Sequence, residues 1–338
     1  MEARLRRHCH GIESLTAPSE RSGLPPEWAD PATVVVRAGG TTDFGRCPGT
    51  HGHRCCNYMT LNVYAGCSLG CTYCIMQSYL RNRTLEVLVP TREQLLRIRT
   101  AAEETDHPPL RVGTGEVGDS LLYDPLFDLS RQIITELGAV TQLRFELKSK
   151  TDYVDHLPDL SGSPAGVSSM VIGFSLNPDA IIAAEEGYAA PLEARLAAAM
   201  QAAQRGYRLA FHFDPLIRVD SWRELYAGVA RMLATFRDAP VEWVSLGTMR
   251  FPRPLAPWIE ARPYGLEEFV SSRDGKMRYL QPVRTAMYRH MQEQLNHALP
   301  GVPVYLCMES SEIWRRTVPP TPALRPIMRP VTLNGGLL

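Results

Sequence analysis

The sequence predicts an α/β fold: a partial (β/α)6 barrel with an irregular N-terminal extension and a C-terminal helix and strand. Three observations predict it. Strand-like and helix-like segments alternate from residue 58 onward. Each predicted strand ends in polar residues, which gathers them at the rim where parallel barrels keep their active sites. A loop carrying Cys67, Cys71 and Cys74 follows the first strand of the series.

Residues 1–57 lack sustained periodicity, and Pro25, Pro26, Gly39, Gly40, Pro48 and Gly49 mark loops, with one short strand expected at 33–37. The first barrel strand is expected at 59–65, delivering the cysteine loop. A helix follows at 91–104, with Thr91 placed to cap it and Glu93 and Gln94 in its first turn. Then come a strand at 110–113, a helix at 126–137 and strands at 142–148 and 169–176. The Ala-rich helix at 192–205 stops at Gly206, as helices often do at glycine. A strand at 208–213, a helix at 222–236 and a strand at 241–247 complete six units. Residues 252–274 read as a long irregular connection, before a last helix at 281–298 and a last strand at 302–307. The domain division is therefore 1–57 as extension, 58–315 as barrel and 316–338 as a proline-rich tail.

Composition bounds the function. A chain of 338 residues with 44% hydrophobic content can bury one large core. No apolar run is long enough to cross a membrane, and the basic start lacks the apolar stretch of a secretory signal. Lys plus Arg and Asp plus Glu both number 36, so the net charge is zero, which speaks against non-specific DNA binding. Eight cysteines in a chain of this length are not a disulfide framework, and the cysteine loop calls for a reducing, cytoplasmic setting.

The loop reads C-S-L-G-C-T-Y-C. Three thiolates at this spacing suit three irons of a [4Fe–4S] cube, leaving the fourth iron open to a small molecule. Gly66 and Gly70 let the loop fold back on itself. The alternative is part of a zinc site, but structural zinc normally takes four ligands. The spacing resembles the radical S-adenosylmethionine (SAM) superfamily. That resemblance implies a TIM-like partial barrel, a cluster on Cys67, Cys71 and Cys74, SAM bound at the open iron, and reductive cleavage to a 5′-deoxyadenosyl radical. It also implies an external electron donor of the flavodoxin or ferredoxin type. Tyr73 sits where the superfamily usually has an aromatic near the adenine.

The strand ends extend this reading. Gly113-Thr114-Gly115-Glu116 resembles the superfamily's glycine-rich motif, whose acidic residue often binds the SAM ammonium group. Lys148 ends an otherwise apolar strand and suits the SAM carboxylate. Ser175 and Asn177 share a face by the period of two, as do His212 and Asp214. Each of these is individually compatible with a buried structural role, but five strand ends turning polar at one rim favour a site.

The order of motifs narrows the resemblance. The cysteine loop is followed by R-F-E-L-K, Y-V-D-H-L, G-F-S-L-N, L-E-A-R-L-A-A-A, G-Y-R-L-A-F-H-F-D-P, D-G-K-M-R-Y and V-Y-L-C-M-E-S. Over about residues 58–315 this resembles the spore photoproduct lyases and their wider relatives. In that family the positions of Lys148 and Ser175 contact SAM. Two departures stand out. The lyases' hydrogen-donating cysteine falls on Glu116, and the tyrosine after their third cluster cysteine is Ile75. A carboxyl O–H is too strong to give up a hydrogen atom. Cys307 is a candidate substitute, against a plainer role as a small apolar residue of the last strand. Glu116, His212, Asp214 and Cys307 are the candidate catalytic residues.

The departures point to a divergent member acting on a nucleoside or sugar, forming a carbon–carbon bond in a nucleoside pathway of the tunicamycin type. The alternatives are DNA photoproduct repair with another hydrogen donor, and a non-catalytic iron–sulfur or zinc protein. Cys47, His51, His53, Cys55 and Cys56 form a second dense cluster of metal-type ligands, although adjacent cysteines rarely share one ion with good geometry. Lys276, Arg278 and Tyr279 suit phosphate or base contacts, or a solvated loop. Trp314, Arg315 and Arg316 are placed to pack the tail over the barrel, and Cys9, between His8 and His10, is read as incidental.

Overall fold

The structure, a computed structural model, describes residues 34–39, 44–47, 49, 53–54, 56–80, 85–106, 109–162, 168–262, 264, 268–319, 324 and 327. The predictions at His8, Cys9, His10, Thr33, His51, Cys55 and most of the tail lie outside them.

Seven parallel strands form the curled half-barrel: β3 (Met59–Thr60), β6 (Leu110–Gly113), β7 (Leu143–Ser149), β8 (Met170–Ser175), β9 (Arg208–Leu216), β10 (Val241–Thr248) and β14 (Val304–Leu306), in that spatial order. β2 (Gly45–Arg46) pairs antiparallel with β3 at one edge. Across the opening, the Arg54 N–H donates to the Glu309 carbonyl at 2.9 Å, tying the N-terminal segment to the chain after β14. The fold class and the order of its units are those the sequence predicts.

The strands read as near-continuous apolar runs because both faces are covered. β8 is buried at every residue. Period-two alternation survives in the chemistry. On β7, Phe145 and Leu147 join the outer apolar layer, while Glu146 and Lys148 turn into the lumen. On β9, Phe211 packs edge-on against Phe236, and Phe213 against Tyr226, leaving His212 and Asp214 on the other face. α1 (Arg92–Glu104) begins at a capping box, in which the Thr91 hydroxyl accepts from the Gln94 N–H and the Gln94 side chain from the Thr91 N–H.

Three predicted elements differ. The expected strand at 59–65 breaks after Thr60, and β4 (Tyr64–Ala65) pairs with β5 (Leu85–Val89) in a separate sheet, beside β1 (Val34–Ala38). Two sheets claim the two ends of one apolar run, which periodicity cannot reveal. The helix at 126–137 splits at Asp128, whose φ of 58 is left-handed, into α2 (Asp124–Phe127) and α3 (Leu129–Leu137). The connection after β10 is partly ordered: β11 (Arg250–Pro252) and β12 (Phe269–Ser271) flank β13 (Lys276–Tyr279).

Candidate functional site

The cysteine loop leaves β4 with glycines where the backbone must turn left: Gly66 has φ 110 and Gly70 φ 69. Neighbouring backbone fixes its course. The Thr72 N–H donates to the Glu185 carbonyl (2.9 Å), the Tyr188 N–H to the Leu69 carbonyl (2.8 Å) and the Ser68 N–H to the Tyr123 hydroxyl (3.0 Å). Cys67 is exposed, Cys74 half-buried and Cys71 buried. Among the described residues no three His, Cys, Asp or Glu side chains converge tightly enough to hold a metal ion. The donor set still fits a cube: three soft ligands on one glycine-hinged loop, with backbone, rather than ligand side chains, holding the loop. Burial pushes the Cys71 thiol up to about 11, and the nearby Lys150 ammonium works against that.

A buried ionic network underlies the loop. Glu186 is fully buried and takes hydrogen bonds from Arg195 (2.5 Å), Lys150 (3.2 Å), Asn177 (2.8 Å) and Tyr73. Burial alone would push its carboxyl up, but Lys150 and Arg195 outweigh this and hold it at about 2. Asn177 also accepts from the Tyr226 hydroxyl at 2.8 Å. Of the residues expected to bind the cofactor, Tyr73 and Asn177 are thus brought together, but with their polar atoms engaged in this network.

The lumen is layered. At its base the buried Arg111 guanidinium lies over Trp243 (4.1 Å), Tyr305 (4.9 Å) and Tyr58 (5.3 Å). Above it, Glu146 Oε1 meets His212 Nε2 at 2.5 Å, His212 Nδ1 meets the Ser245 hydroxyl at 2.6 Å, and the Tyr58 hydroxyl donates to Glu146 Oε2. Burial raises the Glu146 carboxyl, but the His212 charge and these hydrogen bonds prevail and hold it at about 2. Two strand glycines make room for the group. A Cβ on Gly173 would lie 2.2 Å from Glu146 Oε1, and one on Gly113 would lie 1.8 Å from the Tyr58 hydroxyl.

At the rim, Arg250 grips Asp214 with two hydrogen bonds (2.9 and 3.2 Å) and lies 3.9 Å from the Cys307 sulfur. Burial raises the Asp214 carboxyl, and Arg250 more than offsets it, leaving the carboxyl below its usual range. His212 and Asp214 share a face, as expected, but belong to separate pairs at different depths. Gly115 turns with φ 85 and carries Glu116 to the rim, half-buried. Burial pushes the Glu116 carboxyl up, against the Cys47 thiol, which donates to it at 3.5 Å, and the field of Lys148. The Lys148 ammonium makes no ion pair with a described residue, and Ser175 lies one strand away at the end of β8. Glu116, Lys148, Ser175 and Asp214 thus line one mouth, in which the Lys148 charge acts on both carboxyls.

Sequence reasoning passed over Glu146, Tyr58 and Arg111, while Ser245 belongs to the polar end expected of the strand at 241–247. The signal for Glu146 was present: an acidic residue two positions before Lys148 on the same strand face, inside R-F-E-L-K. Cys47 was weighed only as a metal-type ligand.

Comparison with known proteins agrees with this architecture. The family model described as "Spore photoproduct lyase" matches residues 51–251. The chain is 28% identical over 204 residues to the spore photoproduct lyase of Geobacillus sp. (strain Y412MC61), a match covering 58% of each. It is 26% identical over 162 residues to that of Bacillus subtilis (strain 168), covering 48% of this chain and 46% of the relative. The matched segments therefore span less than two thirds of either relative. A spore photoproduct lyase complexed with dinucleoside spore photoproduct superposes with a TM-score of 0.68 at 22% identity, over 89% of this chain and 88% of that one. A double variant with bound AdoMet and the same dinucleoside superposes at 0.67 and 21% identity, over 89% and 87%. The family is one of radical SAM enzymes, and the [4Fe–4S] cluster and SAM expected from the cysteine loop are its cofactors. The family model covers the cysteine loop and the lumen strands through β10, so the chain belongs to the spore photoproduct lyase family.

Proposed function

We propose that this protein is a radical SAM enzyme that abstracts a hydrogen atom from a pyrimidine dinucleoside of the spore photoproduct class. The observation carrying this reading is the match of the family model across the cysteine loop and the lumen strands. When bound, the cluster and SAM would supply a 5′-deoxyadenosyl radical. Cys67, Cys71 and Cys74 would hold the cluster. Lys148, which makes no ion pair with a described residue, would pair with the SAM carboxylate, Ser175 would contact SAM beside it, and Glu116 would accept from the ammonium group when ionised. Gly113 and Gly115 let the backbone approach closely, and Tyr73 stiffens the loop from beneath. His212, held by Glu146 and Ser245, and Asp214, held by Arg250, fix the lumen floor and wall. A one-electron donor of the flavodoxin or ferredoxin type would reduce the cluster.

One feature favours a second reading. Glu116 stands where the resemblance places a hydrogen-donating cysteine, which suits joining a nucleoside to a sugar, as in tunicamycin-type assembly, rather than repair. Anaerobic reconstitution, followed by incubation with SAM, dithionite and dinucleoside spore photoproduct, separates the two. Conversion to two thymidine units with 5′-deoxyadenosine supports the first reading. Release of 5′-deoxyadenosine without conversion supports the second, and no 5′-deoxyadenosine from a fully loaded cluster removes both.

A further inference from the structure

Cys47 follows β2, the edge strand beside β3. Its backbone N–H donates to the Tyr58 carbonyl at 2.9 Å, which ties it to the chain just before β3. There its thiol donates to Glu116 Oε1 at 3.5 Å, and Glu116 in turn lies in the field of Lys148. The thiol and carboxyl form a half-buried dyad at the mouth, with the carboxyl in the field of Lys148.

The chemistry of such a mouth leaves a group to be found. Hydrogen abstraction leaves a carbon radical on the substrate, and a closed-shell product with a new C–H bond needs a hydrogen atom returned. Carboxyl and ammonium groups hold hydrogen too strongly to release it as an atom. A thiol S–H is among the weakest such bonds that a side chain offers, far weaker than a carboxyl O–H or an ammonium N–H. Burial and the Glu116 charge push the Cys47 thiol up to about 12, so it keeps its hydrogen at neutral pH. Cys307, the other candidate, has its sulfur 3.9 Å from the Arg250 guanidinium and hydrogen-bonded to the Asp214 carboxyl, which Arg250 already holds.

We propose that Cys47 is the hydrogen-atom donor of this enzyme and Glu116 its proton partner. The inference rests on the radical chemistry proposed above. In the step, the substrate carbon radical takes the hydrogen of Cys47. One C–H bond forms, the S–H bond breaks homolytically, and a thiyl radical remains. One electron from the low-potential donor that also serves the cluster reduces the thiyl to a thiolate. Glu116 takes up a proton from solvent at the rim and relays it to that thiolate, the direction set by the thiol being the weaker acid. The cycle consumes one electron and one proton at this site.

The test uses the reconstituted full chain, SAM, dithionite and dinucleoside spore photoproduct in D2O, with Cys47→Ser and Glu116→Gln alongside. The wild type is expected to place one solvent deuterium in each converted dinucleoside, because the S–H exchanges with solvent. Cys47→Ser should raise the ratio of 5′-deoxyadenosine released to dinucleoside converted by about tenfold or more. Glu116→Gln should convert substrate once per protein and then slow, since its thiyl has no adjacent proton source. Conversion without solvent deuterium, or a Cys47→Ser protein with the wild-type ratio and label, overturns the inference while leaving the radical reading intact. Iron content and visible absorbance confirm that each variant is folded and loaded. Absence of 5′-deoxyadenosine in the wild type would instead overturn the radical reading, and the inference with it.

Discussion

His212→Leu tests the buried Glu146–His212 pair of the lumen directly. Glu146 is 1% exposed and His212 5%, and their side chains meet at 2.5 Å. Leucine fills most of the imidazole volume, so the loss is electrostatic and not a cavity effect. Removing one partner of a buried pair leaves an uncompensated charge and costs about 3–5 kcal/mol. At about 2.1 cal/mol/K per residue, a chain of 338 residues unfolds with about 0.7 kcal/mol/K of entropy, so Tm should drop by about 4–7 °C. The pH dependence is the sharper signature. In the wild type the Glu146 carboxyl is depressed to about 2, so its contribution is present above the unfolded value of about 4.3 and fades as pH falls toward 2. Without His212, burial dominates and the folded value rises above the unfolded one. The contribution then reverses: it is present at low pH and lost as pH rises through the raised value. The gap between wild type and variant should therefore widen from pH 4 to pH 8. Differential scanning calorimetry at one scan rate, across that range, measures it. A Tm change under about 1.5 °C at pH 8, or a gap independent of pH, refutes the argument that His212 holds the Glu146 carboxyl down.

Gly113→Ala should destabilise the protein strongly, because its Cβ would lie 1.8 Å from the Tyr58 hydroxyl and 2.9 Å from the Glu146 carbonyl; adding Tyr58→Leu should recover only part of the lost Tm, since the carbonyl contact persists. Cys71→Ala should lower bound iron after anaerobic reconstitution to roughly a tenth of wild type or less, read by iron assay and visible absorbance. Lys148→Met should weaken SAM binding by about ten- to a hundred-fold, corresponding to about 1.5–3 kcal/mol for a hydrogen bond to a charged group, as measured by anaerobic calorimetry.

The alternation of strands and helices was legible because each barrel strand is buried on both faces and each helix must cover one of them. The segment at 59–65 was not, since the sequence shows one apolar run while two sheets compete for its ends. The rim was legible in outline: period two places Lys148 in the lumen and pairs His212 with Asp214 on one face. Which groups meet was hidden, because register decides it. His212 reaches across Gly173 to Glu146, two strands away, and only the missing side chain at Gly173 permits that approach.

The N-terminal segment carries the wider lesson. Its glycines and prolines read as an appendage without periodicity, and a chain without periodicity gives no sign of where its side chains land. Yet β2 extends the main sheet, Tyr58 caps Glu146, and the Cys47 thiol sits against Glu116. The resemblance places the family's cysteine at Glu116, and the fold brings a thiol to that residue from a different part of the chain. Read motif by motif, the sequence registers only a loss there. A hydrogen atom moves between neighbours in space, so the contact of Cys47 with Glu116 is what bears on the reaction proposed above.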